Sequence, residues 1–426
     1  MKVGELFQTI KTRQILTSRG KPTVEVDLHT TIGVFRSSCP SGASTGSKEA
    51  KAIIDKNDKE YMGNSVRKAL FHINNIIVPR ITDLKDVDIY NQKLIDAFLD
   101  DLDGTPNKSR IGANAILPIS MSFCRAGAVA LDLSAREFIS KLSSSQMGMP
   151  FPYFNVINGG AHSGNNLVFQ EIMISFHTSD YSKNLEFGCV FYEHLKKVII
   201  QRYGSSSTSV GDEGGFAPKI DTLEQALDLI MEAYKVSKLE KMRIAIDAAA
   251  NEFYENGKYK LGKDDPCTLD GKEMVNYYLS IIEKYPLVHS LEDPFAEDDF
   301  DSWILLMKKI EGSKLRVVGD DLTVTNPELV KMAGEKKMCN TLLVKPNQIG
   351  TISEALEAIE VARNYGMKIM VSHRSGETED TFIADFSVGI GSDYAKFGAP
   401  CRGERISKYN QLLRINEAIE KKRKKY

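Results

Sequence analysis

Residues 243–249 read RIAIDAA, residues 287–295 read LVHSLEDPF, residues 315–322 read LRVVGDDL and residues 341–347 read TLLVKPN. Each is a short apolar run that meets a charged residue at its end: Asp247, Glu292, Asp320 and Lys345. The pattern continues in KIMVSHR (368–374) and YAKFGAP (394–400), which reach His373 and Lys396. Helical stretches such as TLEQALDLIMEAYKVSKL (222–239) separate the runs. Strands alternating with helices predict a parallel sheet with crossover helices. Periodicity alone allows a doubly wound sheet or a closed barrel. The polar residues separate the two. A barrel gathers the C-terminal ends of its strands around one mouth, whereas a doubly wound sheet uses mainly its switch point. Reactive residues at so many consecutive strand ends predict a (β/α)-barrel.

The chain before this region is patterned differently. Val24, Val26 and Leu28 interleave with Glu25, Asp27 and His29, which predicts a half-buried strand after the turn signal RGKP (19–22). A second strand around Ile32–Ser37 completes a hairpin. SGASTG (41–46) reads as a loop, and helical segments follow to about residue 142. SSSQMGMPFP (143–152) has no helical periodicity and marks the expected boundary. The expected organisation is a smaller α+β domain over 1–142 and a (β/α)8-type, TIM-like barrel over 143–426.

Composition narrows the function classes. The 426 residues carry a formal charge of −2, with 42% hydrophobic and 26% charged residues. That suits a soluble globular protein with a substantial core and gives no electrostatic footprint for nucleic acid. The basic run at 421–425 reads as a solvated helix end. No apolar run suggests a membrane span, and MKVGELFQTI is unlike a signal peptide. The six scattered cysteines form no CxxC pair and read as reduced thiols, so a cytoplasmic location is expected.

Charge then points to a metal. Asp247, Glu292 and Asp320 would place their carboxylates at one mouth, where they repel unless a cation or protons intervene. An all-oxygen set suits magnesium. Lys345 and Lys396 end apolar runs, and a lysine beside another cation and a metal can act as a base near neutral pH.

From near residue 13 to near residue 418 the chain resembles the enolase family. The likeness rests on SGASTG (41–46), NVINGGAHSGN (155–165), QEIMI (170–174), VGDEGGFAP (210–218), SLEDPF (290–295), GDDLTVTNP (319–327), NQIGT (347–351), SHRSGETEDTFIAD (372–385), GAPCRGER (398–405) and KYNQLLRI (408–415), in the family's order. The resemblance implies an enolase-type barrel and the magnesium-dependent dehydration of 2-phosphoglycerate to phosphoenolpyruvate. It implies two magnesium ions: one held by Asp247, Glu292 and Asp320, the second arriving with substrate at Ser44, with Ala43 beside it reaching substrate. It implies Lys345 as the base at C2 and Glu213 as the acid at the C3 hydroxyl, assisted by Glu171. Lys396 would hold the substrate carboxylate, Arg374 and Ser375 the phosphate, and His162 and His373 would close over it. Neighbouring Glu171 and Asp212 are expected to raise the pKa of Glu213 so that it is protonated when it acts. The remaining histidines (His29, His72, His177, His194 and His289) read as structural. A homodimer through the N-terminal domain is implied as well, with Glu25 and Arg414 placed for an ion pair between subunits. The chain departs from the family pattern at Thr17, Lys21 and Ile54, which touches a lid hinge and outer surfaces.

Overall fold

The computed structural model describes residues 1–43, 45–56, 59–262 and 267–423. Ser44, part of 52–58 and the end of the 421–425 run lie outside the described residues.

The chain opens with three antiparallel strands, β1 (Phe7–Leu16), β2 (Pro22–Thr30) and β3 (Gly33–Ser38). The hairpin expected from alternation is β2–β3, with Leu28 opposite Phe35. β1 was not legible as a strand, because Lys11, Thr12, Arg13 and Gln14 interrupt its apolar residues. The helix Ala113–Ala130 packs against this sheet and closes its core. It is apolar over 18 residues, a length that would suit a bilayer, yet 89% of it is buried inside the protein. A helix enclosed on all sides has no polar face to show.

Eight later strands make the barrel: β4 (Phe151–Asn158), β5 (Glu171–Phe176), β6 (Met242–Asp247) and, after a small antiparallel sheet of β7 (Tyr254–Glu255), β8 (Lys258–Leu261) and β9 (Cys267–Leu269), the strands β10 (Val288–Glu292), β11 (Arg316–Gly319), β12 (Thr341–Val344), β13 (Lys368–Ser372) and β14 (Tyr394–Lys396). They close in the order β10-β11-β12-β13-β14-β4-β5-β6. The expected helix over 222–239 forms as Leu223–Ser237, capped by Thr222, whose side chain accepts from the Gln225 amide while Gln225 bonds back. Tyr153, Met173, Ala245, Val318, Leu343 and Met370 fill the barrel interior.

One expectation needs correcting. The sheet is not wholly parallel: β5 runs antiparallel to both β4 and β6. Its first residue, not its last, therefore reaches the mouth where the other strands end. Glu171 consequently pairs in register with Asp247, and Asp247 with Glu292.

Candidate active site

The strand order fixes how the mouth is charged. Going round from Glu171 at the start of β5, the next strand ends are Asp247 on β6, Glu292 on β10, Asp320 after β11 and Lys345 after β12. Continuing, His373 and Arg374 follow β13, and Lys396 ends β14. β5 and β12 are four strands apart in a ring of eight, so Glu171 and Lys345 face each other across the mouth. Acids fill one arc between them, and His373, Arg374 and Lys396 stand on the other.

The side chains meet around one cavity of about 30 Å³, lined by groups including His162, Glu171, Glu213, Asp247, Asp320, Lys345, His373, Arg374, Ser375 and Lys396. Lys396 Nζ donates to Glu292 Oε1 at 2.7 Å, Asp247 Oδ2 at 3.0 Å and Glu171 Oε1 at 3.2 Å. These bonds hold Glu292 against the same cluster. Burial would lower the Lys396 pKa, but the surrounding carboxylates outweigh it and hold the group well above its ordinary value. Lys345 Nζ donates to Asp320 Oδ2 at 2.5 Å. Burial opposes its charge, yet Asp320 raises its pKa, so here Lys345 is an ammonium.

The proton on the acid side is placed differently from expectation. Burial would raise Glu213, but its interactions with His373, His162 and Arg405 hold it well below the usual carboxylate range. Asn155 Nδ2 donates to Glu213 Oε2 at 2.9 Å, and His373 Nε2 lies 3.3 Å from the same oxygen. His162 Nδ1 is 3.7 Å from Oε1. Asp212 turns away to Arg19 at 3.2 Å. Burial and the charge of Glu213 instead push Glu171 well above the carboxylate range. Glu171 therefore carries the proton of this pair.

The donors fit a hard divalent cation. Burial and Asp247 push Glu292 up to about 8, and its Oε2 is buried with no partner. Such lone pairs suit an oxygen-seeking ion. A second carboxylate group, Asp293, Asp320 and Asp321, brings its oxygens within 4.8 Å of one another. Asp293 is already committed: its oxygens accept the backbone N–H of Asp320 at 2.9 Å and of Asp321 at 2.8 Å. It shapes the loop that carries Asp320.

Strain concentrates at this mouth. Ala249, Asp293, Val324 and Thr325 all follow barrel strands and have φ of 44°, 39°, 42° and 55°. Left-handed backbone at such residues costs on the order of 1–3 kcal/mol each and persists where surrounding contacts impose it. The SGASTG loop (41–46) and the loop expected to meet the phosphate are tied together. Ser41 and Gly376 exchange backbone hydrogen bonds at 2.8 Å, and a Cβ on Gly376 would lie 2.4 Å from Ser41 Oγ. Arg374 pairs with Glu49 at 2.9 Å, and the buried Ser375 hydroxyl has no partner among the described residues. Gly42 lines the cavity, next to Ala43.

A family model described as Enolase, C-terminal TIM barrel domain, matches residues 146–426, and one described as Enolase, N-terminal domain, matches residues 7–139. The chain belongs to the enolase family. Its barrel is that of an enolase-type lyase, and its acidic mouth is where such a family member would bind metal.

Several residues of this enolase-family mouth escaped the sequence reading. Gln348 donates to Asp320 Oδ1 at 2.8 Å. Arg405, wholly buried, donates to His373 Nδ1 at 2.8 Å and to the carbonyls of Arg374 and Ser375 at 2.6 Å. Asp293 follows Glu292 directly, and that adjacency was the only signal for it. Of the expected dimer pair, Glu25 accepts from Arg13 of its own chain at 2.5 Å and Arg414 donates to Gln411 at 3.4 Å.

Proposed function

We propose that the chain is a magnesium-dependent hydro-lyase interconverting 2-phosphoglycerate and phosphoenolpyruvate. The observation that carries this reading is the opposition of Lys345 to the Glu171–Glu213 pair across one mouth. A base on one side and an acid on the other suit removal of a proton and a hydroxide from adjacent carbons on opposite faces.

Asp247, Glu292 and Asp320 would hold one magnesium, and Ser44 a second. Bound there, magnesium would act as a Lewis acid on the substrate carboxylate. Lys396, cationic throughout, orients that carboxylate and stabilises charge that builds on it. Lys345 takes the C2 proton once its pairing with Asp320 is relieved. The C3 hydroxyl leaves with a proton supplied by the Glu171–Glu213 pair. In this arrangement the proton rests on Glu171, beside Glu213, which accepts from Asn155. Arg374 and Ser375 receive the phosphate, and His162 and His373 wall off water with their loops.

The deciding measurement is phosphoenolpyruvate absorbance on adding 2-phosphoglycerate with and without magnesium. Product should form only with the metal, and Lys345→Ala should reduce the rate by about 10³-fold or more. Product formation without magnesium, or an active Lys345→Ala protein, would overturn the assignment. To the same proposal belong a division of the chain near residues 142–143, a cytoplasmic location and a homodimer through the N-terminal domain. Exposed Leu16 on β1 and Val34 on β3 support self-association there.

A further inference from the structure

The opposite mouth of the barrel is built from the starts of β6, β10 and β11 and, because β5 runs backwards, from the end of β5. A cavity of about 800 Å³ opens there. Its charged lining residues are Lys241, Arg243, Lys309 and Lys314, and no carboxylate lines it among the described residues. Among the described residues none of these cations has an acidic partner within 4.0 Å, and neither does neighbouring Arg316. At the other mouth, by contrast, Lys345, Arg374 and Lys396 are all paired with acids.

Polar atoms here also lack partners. Among the described residues, His177 Nε2, His289 Nδ1 and Arg316 Nε are buried without hydrogen bonds. The two imidazoles lie 5.9 Å apart, and His177 stacks on Phe151 at 4.1 Å. Burial together with Arg243 holds His177 at about 3 and His289 at about 4, against a backbone hydrogen bond at His289, so both rings are neutral. A buried polar atom without a partner carries a free-energy penalty that a ligand oxygen removes. Uncompensated cations around one concavity attract multivalent anions, and guanidinium and ammonium groups suit phosphate. Apart from Ser313 the rest of the wall is apolar, with Leu279, Ile282 and Leu315 among it. A few polar groups in an apolar concavity describe a small-molecule site.

We propose that this cavity is a second ligand site, which takes a small organic phosphate: the phosphate against the cations and imidazoles, the organic body against the apolar wall. The site is independent of the chemistry at the acidic mouth.

The test is calorimetric titration of the full chain with ATP and with inorganic tripolyphosphate as probes, in chelator, with crystals soaked in each. Wild-type protein should bind ATP at this cavity, several-fold tighter than tripolyphosphate because the wall covers the nucleoside. Charge reversal at two exposed lysines (Lys309→Glu with Lys314→Glu) should weaken ATP by at least about tenfold. Ser313→Glu, which adds a carboxylate to the lining and removes no cation, should act in the same direction. Both proteins should keep wild-type turnover, since none of these residues belongs to the catalytic mouth. No ATP binding, unchanged affinity in both variants, or soaked density only beside Asp320 would overturn the proposal. Equal affinity for the two probes would overturn the organic part of it.

Discussion

Arg405 Nη1 lies 2.8 Å from His373 Nδ1. A guanidinium only donates, so Nδ1 must accept and the imidazole proton must sit on Nε2. That proton faces Glu213 Oε2 at 3.3 Å. A buried arginine from the C-terminal helix Gly403–Arg423 thus sets the tautomer of a mouth histidine and, through it, the ionisation of Glu213.

Arg405→Lys tests this chain of contacts. The arginine serves His373 and the carbonyls of Arg374, Ser375 and Asp212 at once. An ammonium lacks the planar fork that reaches all of them. Buried acceptors left open cost about 1–3 kcal/mol each, so denaturant unfolding should show a loss of about 2–4 kcal/mol. The acid-side limb of the pH–rate profile should also move, because His373 is no longer held as the Nε2–H form. A variant with lower stability and an unmoved pH profile would leave Arg405 a packing residue only.

Asp293→Asn addresses the loop that presents Asp320. The aspartate receives two backbone N–H groups through separate oxygens. An asparagine offers one acceptor, so one amide loses its partner. We expect a loss of about 1–2 kcal/mol in unfolding free energy and a magnesium dissociation constant raised roughly tenfold. Thermal shift against magnesium concentration reads both. Wild-type magnesium affinity in this variant would mean that Asp320 does not depend on the loop for its position.

The barrel was legible because its strands are short, apolar and end in reactive residues, as in the run from 315 to 322. What was not legible arises from direction and from distance along the chain. Nothing in QEIMI says that β5 runs backwards, since period-2 patterning carries no sense of direction. The protonation of Glu213 was misjudged because Asp212 is its neighbour in sequence but turns to Arg19, whereas His373 and Arg405 are remote in sequence and adjacent in space. The bond from Lys345 to Asp320, which raises the pKa of the lysine, is something no spacing rule reveals.

Glu171→Gln and Glu213→Gln should separate the two halves of the acid pair. With the proton on Glu171, its amide is a neutral near-isostere that still donates but cannot release a proton. Both variants should lose turnover by about 10²-fold or more. They should differ in stability. Glu213→Gln removes the negative partner of two histidines and Arg405, whereas Glu171→Gln removes a carboxyl that is already neutral. Denaturant unfolding should find the Glu171 variant at least as stable as wild type and the Glu213 variant less stable. The reverse order would place the proton on Glu213.

Magnesium should stabilise the fold more at pH 8.5 than at pH 6. Burial and Asp247 push Glu292 up to about 8, and burial with Asp320 pushes Asp321 up to about 7. A carboxyl whose folded pKa lies above its unfolded one favours the folded state fully below the unfolded value, and that advantage is lost as pH rises through the folded value. The metal-free fold therefore weakens between about pH 4.5 and pH 8 on account of Glu292. A divalent cation needs the same carboxylates ionised and competes with their protons below that range. At pH 6 magnesium must displace protons; at pH 8.5 it meets carboxylates whose mutual repulsion is otherwise relieved by Lys345, Lys396 and Arg374. Calorimetric scans in chelator and in saturating magnesium should show a Tm difference at least roughly a few degrees larger at the higher pH. Equal differences at both pH values would mean that Glu292 and Asp321 are ionised before the metal arrives, and that Lys345, Lys396 and Arg374 alone balance the acids of this mouth.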